Sequence, residues 1–403
     1  MPRIAVIGCG GRITRMLGAL TDSYPDARVT GIVDPDKEGA RHRLTEQQIG
    51  LDEVVFYSDV DDLLAQAEHF DGFAIGTRCH LHAPMAIKIA PTGLPLFLEK
   101  PIATSFEELH DLRDAWAGRE NKVVVSFPMR STPVFRLAKD YLDRGLTGPI
   151  NQIQAFNNVP YADCYYGNWY RRFPEVGGLW LQKATHDFDY LNLLVGARPM
   201  RVAAMMTQRI FGTGRVLAPD KHGAKMTRDP NAPAEQIANS DTVLLDHTGS
   251  RFHAGIRNQD AGSAIIWYEN GVVVSYDQNF VSRQSAGRRG AIITGYNGTV
   301  EWDWQPPESL RFVDHHSNRI DQVSYPAQGG HGGGDDVLTR AFYELLTQQA
   351  NSPINLTAGL QSVAMCLAAR QAARTHTVQP IEDIGLFAPC EPFDLSKVEV
   401  PLA

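Results

Sequence analysis

The chain has little of what marks a protein for export, for nucleic acid or for a membrane. Five of its 403 residues are cysteine (Cys9, Cys79, Cys164, Cys366, Cys390), odd in number and never spaced C-x-x-C. That excludes a disulfide framework and a structural zinc site, and no metal is expected. No apolar run reaches the roughly 18 residues of a membrane span. The N-terminus enters an apolar strand with no basic segment or cleavage site before it. Lys plus Arg number 38 against 46 Asp plus Glu, for a net charge of −8, and no basic stripe is present to neutralise phosphates. No membrane and no nucleic-acid partner is therefore expected, and the protein reads as cytoplasmic with free thiols. Internal repeats and low-complexity tracts are also lacking.

What is present is globular. Apolar residues make up 43% and charged residues 21%, enough for sizeable cores, and the length predicts two domains. From Arg3 to Leu98 short β-branched runs alternate with helical spacing, the pattern of βαβ units around a parallel sheet. Strands are expected at Arg3–Ile7, Val29–Val33, Val54–Tyr57, Gly72–Ile75, Pro95–Leu98 and Lys122–Ser126. Residues 1–127 thus read as a doubly wound α/β Rossmann domain. Residues 128–403 read as an α+β domain with a large open, mostly antiparallel sheet, its final helix able to pack back on the first domain. After a helix at Pro133–Arg144, its strands are expected at Ile150–Asn157, Met200–Gln208, Thr242–His247, Arg251–Arg257, Ala264–Tyr268, Val272–Asn279 and Ala291–Tyr296, with Asn270-Gly271 and Thr248-Gly249 as hairpin turns. One helix, Leu179–Val195, interrupts them, and Asp336–Gln349 and Thr357–Arg374 follow. The polar stretch Gly212–Asn239 reads as an inserted loop.

The first strand runs into Gly8-Cys9-Gly10-Gly11-Arg12-Ile13 and then a helix. Small residues there permit a tight turn and let helix N-terminal amides approach a pyrophosphate; the third glycine position is Ile13. Asp34 ends the second strand, placed to accept from a ribose hydroxyl and to repel a 2′-phosphate, which favours NAD over NADP, while Arg12 argues for NADP. Thr77-Arg78-Cys79-His80-Leu81-His82 follows the fourth strand and Glu99-Lys100-Pro101 the fifth, both at carboxyl ends of parallel strands, where open α/β sheets bind ligands.

Together with Gly177-Gly178 before a helix carrying His186 and Asp189, these motifs resemble the family of glucose-fructose oxidoreductase, inositol dehydrogenase and the rhizopine-catabolism dehydrogenases over nearly the whole chain. The resemblance implies an NAD- or NADP-dependent oxidoreductase acting on a hydroxyl or carbonyl carbon of a sugar, polyol or inositol-like substrate. It also implies a homodimer or homotetramer formed through the second sheet, with Lys100 as the catalytic lysine and His186 as acid/base. The chemistry agrees: a carbinol proton needs a base near neutrality, and a partly desolvated lysine can stabilise charge on the substrate oxygen.

Helical spacing places Gln182, His186 and Asp189 on one face, with Lys183 a turn before His186. Gln182 stands where the family's dehydrogenases commonly carry aspartate, and Arg78-Cys79 replaces the usual proline and asparagine. Tyr161, Tyr165, Tyr166, Trp169 and Tyr170, with Arg171 and Arg172, offer ring faces and cations to a sugar, or packing alone. Arg130 and His331 are further candidate substrate contacts. His331 lies in Gly329–Asp336, read as a loop ending at a helix that Asp335 or Asp336 caps. Two other readings compete: an NAD-dependent glycoside hydrolase using transient oxidation and elimination, and a non-catalytic ligand sensor.

Overall fold

The computed structural model describes residues 1–211, 227–228, 243–245, 251–253, 257–326, 329–348 and 350–387. The expected loop Gly212–Asn239, apart from Thr227–Arg228, lies outside the described residues, as do the Thr248-Gly249 turn, Cys390 and the flanks of the strands expected at Thr242–His247 and Arg251–Arg257.

The first six strands are β1 (Arg3–Ile7), β2 (Arg28–Val33), β3 (Val55–Phe56), β4 (Gly72–Ile75), β5 (Leu96–Leu98) and β6 (Val123–Val125). They form one sheet in the order β3-β2-β1-β4-β5-β6, and every pairing is parallel. Strands covered on both faces are apolar throughout. Accordingly β4, β5 and β6 are buried at every residue. The order reverses between β1 and β4, and the crevice beyond their carboxyl ends is where such sheets take ligands.

The second sheet holds nine strands: β7 (Ile150–Asn158), β8 (Pro199–Thr207), β12 (Ala261–Tyr268), β13 (Val273–Asn279), β14 (Arg288–Gly295), β15 (Gly298–Asp303), β16 (Glu308–Asp314), β17 (Ile320–Tyr325) and β18 (Gln379–Pro380). The short strands β9 (Thr227–Arg228), β10 (Val243–Leu245) and β11 (Arg251–His253) pair separately. In the large sheet only β7 and β13 run parallel; the remaining pairings are antiparallel. Alternating burial along β12 marks a sheet with one face on the core and one open.

The sequence reading missed β15, β16 and β17. Their runs, GTVEWD, ESLRFVD and IDQVSY, carry charges at alternate or end positions, and β17 at the sheet edge has no fully buried residue, so little apolar signal was there to read. The last two helices pack against the first sheet, and the second of them also lies on β8 of the large sheet. In Gly334–Gln348, Phe342 packs edge-on to Phe97 of β5 and Tyr343 stacks on Tyr24. In Leu356–Thr375, Gly359 lies against Ile102 and Val125.

Candidate active site

The cofactor cradle begins where β1 ends. Gly8 has φ +77°, a conformation that costs glycine nothing, and a Cβ there would lie 2.6 Å from the Thr77 backbone. The helix α1 (Gly11–Ser23) then starts with Gly10 as N-cap and no side chain on its first amides, and a Cβ on Gly11 would meet nothing within 4 Å. Free amides, the positive end of a 13-residue helix and open space in front are what a pyrophosphate requires. Ile13, in the third glycine position, is fully buried. Its bulk fits because position 76 across the turn is glycine, where an added Cβ would lie 2.4 Å from that of Ile13. The small residue the motif calls for has thus moved to β4's exit.

Asp34 accepts from the amides of Cys9 (2.6 Å) and Asp36 (2.8 Å), so its carboxylate is fixed at the end of β2. The cation beside it is Arg43, which donates to the Cys9 carbonyl (2.7 Å) and to Asp36 (3.4 Å); nothing in local spacing signalled this residue. Arg12 points the other way. It pairs with Glu99 (3.2 Å) and Asp335 (2.6 Å), tying β5's exit to the helix Gly334–Gln348, and so corrects the expectation that Arg12 bears on a 2′-phosphate. Glu99 also accepts from Ser126. His82 bridges two loops: Nδ1 lies 2.8 Å from the Pro101 carbonyl and Nε2 3.1 Å from that of Thr77. It is a buried stitch, whereas His80 leaves Nδ1 buried without a partner.

The expected helix Leu179–Val195 is not one regular helix. Trp180–Ala184 forms a π-helical turn, and the α-helix runs Thr185–Val195. A wider turn breaks the single face on which Gln182, His186 and Asp189 were placed. The Gln182 carbonyl accepts from Lys100 Nζ (3.0 Å), while its side chain donates to the Val176 carbonyl (3.0 Å) and lies 3.3 Å from Cys79 Sγ. Lys183 donates to the Tyr161 hydroxyl (2.6 Å) and stands over the rings of Tyr161 and Tyr165. Asp189 turns away to form a buried fork with Arg130 at 2.6 and 2.8 Å, so neither is placed to meet a substrate.

Burial, followed by the nearby Lys183 charge, draws the Lys100 amine down to about 8. Burial and then the Lys100 charge hold His186 well below the usual histidine value, so its imidazole is neutral. His186 Nδ1 and Gln182 Oε1 are buried without partners. A cavity of about 190 Å³ is lined by Asn157, Asn158, Tyr161, Arg289, Glu308 and His331, among others. The His331 and His186 rings lie 6.5 Å apart, and His331 Nδ1 is 3.0 Å from Asp335. Burial works against the Asp335 carboxylate, but the bonds from His331 and Arg12 prevail and hold it low. Asp335 and Asp336 fall inside the first turn of a helix beginning at Gly334, not at its cap.

Of the aromatic cluster only Tyr161 lines the cavity. Tyr165 and Tyr166 build a small core with Val159, Leu179, Phe211 and Phe280. Trp169 stacks between Tyr170 (3.9 Å) and the Arg78 guanidinium (4.0 Å), clasping the cofactor loop to the second unit, and Arg171 donates to the Asn168 carbonyl. Sequence reading missed Arg289, whose Nε donates to Asp187 (2.8 Å). A basic strand residue far from every motif carried no signal. Among the described residues no cluster of three or more His, Cys, Asp or Glu is placed to hold a metal, and no helix is long and apolar enough to cross a membrane.

Residues 2–127 match the family model described as an oxidoreductase family with NAD-binding Rossmann fold, and residues 139–382 match that family's C-terminal alpha/beta domain. YteT of Bacillus subtilis (strain 168) is 24% identical over 72% of this chain and 75% of its own length. Inositol 2-dehydrogenase 1 of Saccharopolyspora erythraea is 27% identical over 51% of this chain, and the match spans 58% of that protein. A solved levoglucosan dehydrogenase in complex with NADH superposes with a TM-score of 0.75 at 19% identity, covering 94% of this chain and 99% of that one. The residues of the cradle fit the cofactor, and the chain belongs to the Gfo/Idh/MocA oxidoreductase family with its NAD-binding Rossmann domain.

Proposed function

We propose that the protein is an NAD-dependent dehydrogenase acting on a hydroxyl-bearing carbon of a sugar, polyol or related cyclic alcohol. The observation that carries this reading is Lys100, held on the Gln182 carbonyl within electrostatic reach of His186, a neutral base whose Nδ1 is buried without a partner among the described residues. Bound NAD would supply the hydride acceptor. The Lys100 ammonium donates to the substrate oxygen as charge develops there. His186 receives the hydroxyl proton, which neutral imidazole can do and imidazolium cannot. Gln182 orients a neighbouring hydroxyl through Oε1 but takes no proton. Asp34, fixed by two amides, favours NAD by repelling a 2′-phosphate.

The test is absorbance at the reduced-nicotinamide band when protein and NAD meet a panel of inositols, aldoses, sugar acids and glycosides. A steady rise with one compound is expected, and silence across the panel would sink the reading. Tyr161, held by Lys183, is a second proton-bearing group at the cavity and favours an alternative, a glycoside hydrolase working by transient oxidation and elimination. Aglycone release that requires NAD but yields no net NADH would choose it.

The open sheet face is the proposed homo-oligomer contact. Ile265 and Trp267 alternate outward on β12, and Met205 of β8 pairs beside them, at 58%, 37% and 68% exposure. Ile265→Asp is expected to shift the protein to monomer in sedimentation.

A further inference from the structure

We propose that the substrate is a polyhydroxy acid whose carboxylate rests among Arg289, Tyr161 and Lys183; this rests on the dehydrogenase reading and narrows its substrate class. The cavity of about 190 Å³ is smaller than the ~300–1,000 Å³ pockets of drug-sized ligands, so it takes one small ring or chain. Its walls are unequal in hydrogen-bonding character. Tyr161 accepts from Lys183, and an ammonium has no acceptor, so the phenol's own proton is left for a group in the cavity. Asn158 Oδ1 already accepts from Asn279, which leaves its amide hydrogens as donors.

Arg289 lines the cavity as well. One oxygen of Asp187 meets its Nε, the other accepts from Asn157 (2.8 Å) and Tyr276 (2.7 Å), and Arg289 Nη2 stays buried without a hydrogen-bond acceptor. Nη2 does lie 2.8 Å from the shared Asp187 oxygen, so the pair is intact as a charge pair but unfinished as a hydrogen-bond set. Lys183 has a phenol and two ring faces for neighbours and no carboxylate within ion-pair distance among the described residues. A buried cation with neutral partners is costly, and an ionised oxygen answers it about twice as well as a neutral hydroxyl. Glu308 also lines the cavity, and its acceptor oxygens suit hydroxyls. A lining that combines these donors with a carboxylate acceptor matches a molecule carrying both a carboxylate and hydroxyls.

The experiment uses the full chain loaded with NADH and titrates D-glucuronate, D-galacturonate and D-gluconate by calorimetry, each against its own amide, which keeps shape and removes charge. At least one acid is expected to bind about tenfold tighter than its amide, a preference of ~1.4 kcal/mol. Arg289→Gln would strand Asp187, so the variants are Lys183→Met and Tyr161→Phe, each checked for retained NADH binding. Loss of the acid preference in either supports the proposal. Equal binding of acid and amide, binding of neither, or a preference unchanged in both variants overturns it. Acids that bind without being oxidised would remove the dehydrogenase reading and leave this one. Oxidation of a neutral polyol without any acid preference would do the reverse.

Discussion

The glycine turn and the π-helical turn meet at Lys100 and are built on opposite rules. Around the first, side chains that hold the loops in place are answered within the protein: Asp34 by two amides, Arg12 by two carboxylates, the His82 N–H by a backbone carbonyl. Around the second they are left open. Among the described residues His186 Nδ1 and Gln182 Oε1 are buried with no partner, Lys100 donates to a carbonyl alone, and Lys183 has a phenol and two ring faces but no carboxylate. Unmet polar groups cost about 1–3 kcal/mol each when buried, so a fold keeps them where a ligand completes them. The constant half of the chemistry is prebuilt, and the half that meets the substrate waits for it.

The largest expected effect tests that contrast directly. Lys100→Met should lower kcat/KM about 10³-fold and yet raise stability. The sign follows from linkage: the folded amine titrates near 8, below its ordinary value of 10.5, so folding weakens its hold on a proton. Below pH 8 the charge costs stability; the cost fades as pH rises from 8 towards 10.5. A melting temperature above that of the parent at pH 7, with the gap closing near pH 10, is the expected record. A lower value at pH 7 would mean that the ammonium is satisfied in the fold and would break the comparison.

The same two groups set the pH profile. Because burial keeps His186 deprotonated to well below 6.5, the acid limb of kcat/KM for oxidation should lie below the ordinary histidine range. The alkaline limb should fall near 8 as Lys100 loses the proton it donates. Lys100→Met should retain the acid limb and lose the alkaline one.

A middle-sized effect is expected at the ribose end. Asp34→Ser removes the charge that repels a 2′-phosphate while Arg43 remains beside it, so the ratio of kcat/KM for NAD over NADP should fall by about 10²-fold, that is ~2.7 kcal/mol. Adding Arg43→Ala should abolish the gain with NADP. Adding Arg12→Ala instead should not change the ratio, because Arg12 faces Glu99 and Asp335.

Much of this was legible in the sequence, and the reasons are local. β1 and β4 were placed to the residue because a buried parallel strand is a continuous apolar run bounded by glycine or polar residues. Lys100, His186 and the glycine turn, the candidates of the proposed site, stand out in the sequence because their motifs are contiguous. What escaped depends on long-range geometry. Arg289 reaches the site across the sheet, and Arg12 finds Asp335 across more than three hundred residues. The π-helical turn at Trp180–Ala184 reads as ordinary helix, since its apolar spacing does not reveal one residue of extra pitch.

The smallest effect concerns the displaced glycine. If Gly76 takes the place of the small residue missing at 13, Gly76→Ala should destabilise the protein by about 1–3 kcal/mol, since its Cβ would lie 2.4 Å from that of Ile13 and both backbones are held by the sheet and α1. Ile13→Gly alone should also destabilise, through lost burial and helix propensity. The informative quantity is the double variant. A shared contact predicts that Gly76→Ala costs less in the Ile13→Gly background, a coupling of about 1 kcal/mol or more in urea unfolding, whereas independent sites would add. The remaining cost comes from the Gly8 carbonyl oxygen, 2.9 Å from the new Cβ. Additive penalties would mean that the turn at Gly8 holds its shape without Gly76, and that the first half of the site is less tightly prebuilt than its hydrogen bonds indicate.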